Sequence, residues 1–169
     1  MNRIHKIFQK KTEKVIPFLT AGYPSKEYTV DMVLEAERSG AAMVELGMPF
    51  SDPLADGPVI QEASQLAIDN DVDICWILKA VMEIRTQSEI PLVLMGYINP
   101  ILKYGLDKFI DDCHVAGVDG LIIPDLPPEE AGRLLQLANN VGICIILLVA
   151  PNTVGERISQ ISRLSGTLI

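Results

Sequence analysis

Residues 39–49, Ser39-Gly40-Ala41-Ala42-Met43-Val44-Glu45-Leu46-Gly47-Met48-Pro49, decide the fold, because their pattern returns as Ala116-Gly117-Val118-Asp119 followed by Gly120-Leu121-Ile122-Ile123 and Pro124. In both, a glycine suited to ending a helix precedes a short apolar run, and a proline stops the run. That is the punctuation of a repeated strand–helix unit. Working outward, β-branched apolar runs recur at 15–19, 43–46, 91–95, 120–123 and 144–149. Helical periodicity fills the intervals, with Val30, Val33 and Leu34 in one, Leu106, Phe109, Ile110 and Cys113 in another, and Ala131, Leu134, Leu135 and Ala138 in a third. Alternation of this kind signals parallel βαβ units.

The punctuation agrees. Ser25 is expected to cap one helix, Pro127 and Pro128 to open another, and Thr153 with Glu156 to form a capping box, while Gly40, Gly117 and Gly142 close three helices. A further strand is expected to begin at 166–169. A closed (β/α)8 TIM barrel or an open doubly wound sheet could both start this way. The open sheet would normally announce a nucleotide by a glycine-rich first turn, and neither G-x-G-x-x-G nor G-x-x-x-x-G-K-[ST] occurs. The expected architecture is therefore α/β: residues 1–169 as one (β/α) barrel domain, incomplete at its C-terminal end after five to six β/α units.

Composition bounds the function. Of 169 residues, 49% are hydrophobic and 5% aromatic, enough to bury a core and far from a disordered chain. No apolar run approaches the ~20 residues that cross a bilayer, which points to a cytoplasmic protein with no membrane role. The first residues, with Ile4, Ile7 and Phe8 on one face, suggest a packed amphipathic helix. A net charge of −8 without any basic stripe disfavours nucleic acid. Cys75, Cys113 and Cys144 are odd in number and lie in apolar segments, which suggests buried thiols rather than a disulfide framework or zinc site.

Chemistry in either architecture belongs at the carboxyl ends of the strands. Glu45 lies inside an apolar strand, where a carboxylate is costly and desolvation should raise its pKa towards general acid or base work. Its loop, 47–58, holds Asp52 and Asp56 among three prolines. Asp before Pro or Gly is also an ordinary turn former, so spacing alone leaves both open. Asp125 follows the fourth strand, as a helix N-cap or a substrate contact. Tyr97 and Asn99 follow the third as turn or core residues. No strand end carries a Schiff-base lysine, Lys103 being placed in a loop, and His5 and His114 fall on helices.

The segment Glu45 to Pro58, with Pro17 to Pro24, Met95 to Pro100 and Gly117 to Glu130, closely resembles the tryptophan synthase alpha chain family. The resemblance runs through nearly the whole chain and implies a (β/α)8 barrel. It implies a lyase that cleaves indole-3-glycerol phosphate to indole and glyceraldehyde 3-phosphate, with no metal or cofactor of its own. By resemblance, Glu45 and Asp56 are the catalytic carboxylates, and Phe18, Tyr97, Ile122 and Asp125 bind substrate. Pro49 and Asp52 would meet a partner beta chain, which carries pyridoxal phosphate, in an alpha2-beta2 assembly. The phosphate-binding late loops of the family have no counterpart in these residues. Two other readings remain: an inactive fragment or folding unit of such a barrel, and a metal-assisted aldolase using Glu45, Asp52, Asp56 and Asp125 as oxygen ligands.

Overall fold

A computed structural model describes residues 2–9 and 11–164. The elements run α1 (Arg3–Phe8), β1 (Phe18–Thr20), α2 (Tyr28–Arg38), β2 (Val44–Gly47), α3 (Pro58–Asp69), α4 (Ile74–Arg85), β3 (Leu92–Met95), α5 (Ile98–Tyr104), α6 (Leu106–Ala116), β4 (Gly120–Ile122), α7 (Gly132–Val141), β5 (Cys144–Ile145) and α8 (Gly155–Leu164). The strands form one parallel sheet in the order β1-β2-β3-β4-β5. Every crossover steps the same way, whereas a doubly wound sheet reverses direction and places helices on both faces. The architecture is that of consecutive units of a (β/α)8 barrel.

The two faces of the sheet bury different residues. Val44, Leu46, Leu92, Leu94, Leu121 and Ile145 join the large core packed under the helices. The alternate residues, Met43, Val93 and Ile122 with Met95, Cys144 and Ile146, form a second cluster, which α1 covers with Ile4 and Ile7. A period of two thus sorts one set towards the helices and the other towards the inside. Registers place Phe18 beside Glu45 and Glu45 beside Val93, so Glu45 belongs to the inner set.

Opposite the strand carboxyl ends, a polar hub ties the start of the sheet together. Asp119, 3% exposed, accepts from Arg85 Nη2 at 2.7 Å, Arg3 Nη1 at 3.1 Å and Leu92 N–H at 2.9 Å. Arg85 also donates to the carbonyls of Gly117, Ser88 and Ile90. Asn2 caps α1 through Ile4 N–H and donates to the carbonyls of Asp119 and Gly142.

Local expectations fared unevenly. Gly117 and Gly142 end α6 and α7 in the left-handed region, at φ 90° and 78°, and Gly40 follows α2 at φ 92°. Ser25 does not cap α2, because its hydroxyl donates to the Glu27 carboxylate. Pro127 and Pro128 lie in a turn, and α7 starts only at Gly132. Thr153 accepts from Ala150 N–H behind it, not from α8. Lys103 is helical, in α5. Cys75 is exposed, Cys113 buried and Cys144 intermediate, so only one thiol is fully buried. The strand expected over 144–149 pairs only through Cys144 and Ile145, with Leu148 57% exposed beyond it. The strand start expected at 166–169 lies outside the described residues. Among the described residues, no helix is long and apolar enough to cross a membrane.

Candidate active site

β2 positions the first carboxylate. Val44 and Leu46 point into the helix-packed core, which forces Glu45 to the inner side between Phe18 and Val93. No hydrogen bond or ion pair engages its carboxylate among the described residues, and desolvation alone raises its pKa. A carboxyl group in that condition exchanges a proton more readily near neutrality than an exposed one.

The loop after β2 delivers the second. Asp56, half-buried, accepts from the Tyr97 hydroxyl at 3.0 Å, and the same hydroxyl accepts from Ala55 N–H at 2.9 Å. Tyr97 comes from the end of β3, is 4% exposed, and stacks at a tilt on Phe50 with ring centroids 5.3 Å apart. Burial pushes the Tyr97 phenol up, the Ala55 N–H opposes this, and the Asp56 carboxylate adds to it, which keeps the hydroxyl protonated as a donor.

One cleft gathers part of this set, and Glu45 is not among its lining residues. Phe18, Asp56 and Tyr97 line it together with Gly47, Met48, Ile60, Ser64, Met95 and Gly96. Glu45 precedes Gly47 by two positions, on the same face of β2. Ile122 is buried beside Met95 in register, one strand further. Asp125 is not in this cleft. It lies in a neighbouring one with Ile123 to Pro128, Leu147 and Leu148, and its carboxylate receives Ile98 N–H at 3.0 and 3.3 Å. It therefore caps α5, a helix earlier in the chain, rather than one of its own. Asp52 is exposed and accepts from the Ser51 hydroxyl, and Pro49 is half-buried at the start of the same loop. Glu45, Asp52, Asp56 and Asp125 are not gathered as ligands: among the described residues, no group of three or more His, Cys, Asp or Glu could hold a metal ion.

Sequence reasoning overlooked the two glycines that make room for the cleft. A Cβ on Gly47 would stand 2.5 Å from Phe18 Cζ, and one on Gly96 would stand 2.6 Å from Met48 Cε. A glycine ending an apolar strand is the available signal for such close approach. Met95, Ile60 and Ser64 carried no signal, since apolar and small helix residues look alike wherever they face.

The chain matches the family model of the tryptophan synthase alpha chain over residues 4–169. It is 40% identical to the tryptophan synthase alpha chain of Geotalea daltonii over 99% of its own length, and spans 64% of that relative. It superimposes with TM-score 0.94 on tryptophan synthase subunit alpha from Legionella pneumophila, at 40% identity, covering 98% of this chain and 65% of the other. A structure of the tryptophan synthase a2b2 complex from Pyrococcus furiosus, concerned with mutual activation, matches with TM-score 0.86 at 39% identity, covering 90% of this chain and 62% of that one.

Proposed function

This chain belongs to the tryptophan synthase alpha chain family, and from that premise we propose that the protein carrying it cleaves indole-3-glycerol phosphate to indole and glyceraldehyde 3-phosphate, a carbon–carbon lyase step of tryptophan biosynthesis. The observation that carries the reading is Glu45: a desolvated carboxyl group without a partner among the described residues, on the inner side of the sheet two positions before Gly47, which lines a cleft that holds a second carboxylate. In this reaction the indole carbon that loses its side chain must gain a proton, and the glycerol hydroxyl must lose one. Glu45 does both in turn. Asp56 holds the indole N–H and stabilises the positive charge that develops as the ring becomes an indolenine. Phe18, Tyr97 and Ile122 flank the indole, and Asp125 stands at the rim.

The chemistry runs on carboxylates and needs no metal or cofactor on this chain. Pyridoxal phosphate belongs to the beta chain, with which the protein forms an alpha2-beta2 heterotetramer. Pro49, Asp52 and the exposed loop around them face that partner, and Leu54 there is 94% exposed. We read residues 1–169 as part of one barrel domain in a cytoplasmic enzyme. The metal-assisted reading has no ligand cluster among the described residues in its favour.

The experiment is Glu45→Gln in the full-length protein. Indole release should fall by at least ~100-fold, the lower end of what a general acid–base group contributes, while calorimetric binding of indole-3-glycerol phosphate is retained. Unchanged turnover would remove Glu45 from the mechanism.

A further inference from the structure

The loop that carries Asp56 is held from the end of the next strand, and the holding residue is itself held from the strand after that. Tyr97 grips residues 55 and 56 with one hydroxyl, as acceptor from Ala55 N–H and donor to Asp56 Oδ2. Tyr97 is also the N-cap residue of α5, extended at φ −90° and ψ 153°, and its side chain makes no cap hydrogen bond. The free N–H that begins α5, that of Ile98, goes to both oxygens of Asp125, 27 residues later in the loop after β4. A carboxylate there satisfies an orphan donor and suits the positive end of the helix. Because Tyr97 and Ile98 share a peptide bond, fixing that N–H fixes the backbone from which the Tyr97 ring is aimed.

We propose that Asp125 is a positioning residue: it caps α5 from the loop after β4, thereby sets Tyr97, and through the Tyr97 hydroxyl sets Asp56. This deepens the function proposed above and rests on Asp56 being catalytic there. It gives Asp125 a role within the fold that requires no contact with substrate, the acceptance of the Ile98 N–H. Three successive strand ends are joined by it, so the loop after β2 keeps its geometry only while the loop after β4 keeps its own.

The test reads backbone amide exchange and steady-state kinetics in the full-length protein. Asp125→Ala should accelerate exchange severalfold at Ile98 and also at Ala55, which Asp125 does not touch. Tyr97→Phe should accelerate Ala55 alone, and Asp125→Asn, which keeps an acceptor oxygen, should restore both amides. The Leu94 and Phe109 amides report whether the core is intact. Where Asp125→Ala does not fold, Asp125→Ser replaces it, since Ser keeps the turn chemistry but ends an atom short. Asp125→Ala should lower kcat on the order of tenfold, the scale of a small misplacement, with KM little changed. Combining it with Tyr97→Phe should cost no more than the worse single change. Ala55 exchanging at the wild-type rate in Asp125→Ala, or kcat losses that multiply in the double variant, would overturn the coupling. If the amides respond as expected while kcat holds in every variant including Asp56→Asn, the coupling stands and the catalytic reading of Asp56 falls.

Discussion

Glu45 combines two properties that pull against each other, a place on an inner strand position and a charge that the place disfavours. Burial raises its folded pKa above the unfolded value, so the folded state holds the proton more tightly. Stability is then undiminished below the unfolded pKa and declines as pH rises through the folded one. Glu45→Gln should therefore raise Tm slightly at neutral pH and leave it unchanged in acid, measured by thermal unfolding at the two pH values. A gain in the opposite direction would mean that the carboxylate has a stabilising partner. Asp56 is different, because Tyr97, at the end of β3, gives it a donor. Asp56→Asn keeps the shape and loses the charge, and should reduce turnover of the full-length enzyme by ~100-fold or more if it stabilises the indolenine cation. Near-normal turnover would leave it as a turn residue.

Among the elements, α1, α4, β3 and β4 meet at Asp119, where a buried carboxylate has three donors. Asp119→Ala would leave the Arg85 guanidinium, whose side chain is 10% exposed, with carbonyl acceptors but without that counter-charge, and Leu92 N–H without that acceptor. Removing one partner of a buried pair costs about 3–5 kcal/mol, which a urea titration would resolve. Glu89, 79% exposed where it meets Arg3, should be replaceable by Gln without measurable loss. The strands of the sheet and the helices α2, α6 and α7 were legible from glycines and apolar periods, because those properties act within a few residues of the chain, whereas α5 was read as a loop. Element ends were not. Where α2, α7 and α8 begin depends on hydrogen bonds such as Ser25 to Glu27 and Ala150 to Thr153, and several geometries satisfy the same turn residues.

For the whole molecule, the exposed loop after β2 links a proposed partner to a proposed active site. Binding the beta chain should raise indole-3-glycerol phosphate cleavage, because ordering this loop limits the positions that Asp56 can adopt. Equal turnover with and without the beta chain, in a complex proven by sedimentation, would refute that link. A polypeptide limited to residues 1–169, which spans 64% of the Geotalea daltonii relative, should release no indole, because among the described residues β1 and β5 each have one neighbour and leave apolar strand edges unpaired. Family-like turnover from monodisperse 169-residue protein would contradict this. The sequence by itself determined the alternation of strands and helices, the helix-ending glycines and the unusual carboxylate at Glu45, since each follows from local periodicity, backbone freedom or the cost of burying charge. Only the tertiary structure decided that every crossover steps in one direction, that Phe18, Asp56 and Tyr97 share a cleft, and that Asp125 caps a helix 27 residues earlier. The physical reason is that these contacts join residues far apart in the chain, and no local preference encodes which distant donor a carboxylate will meet.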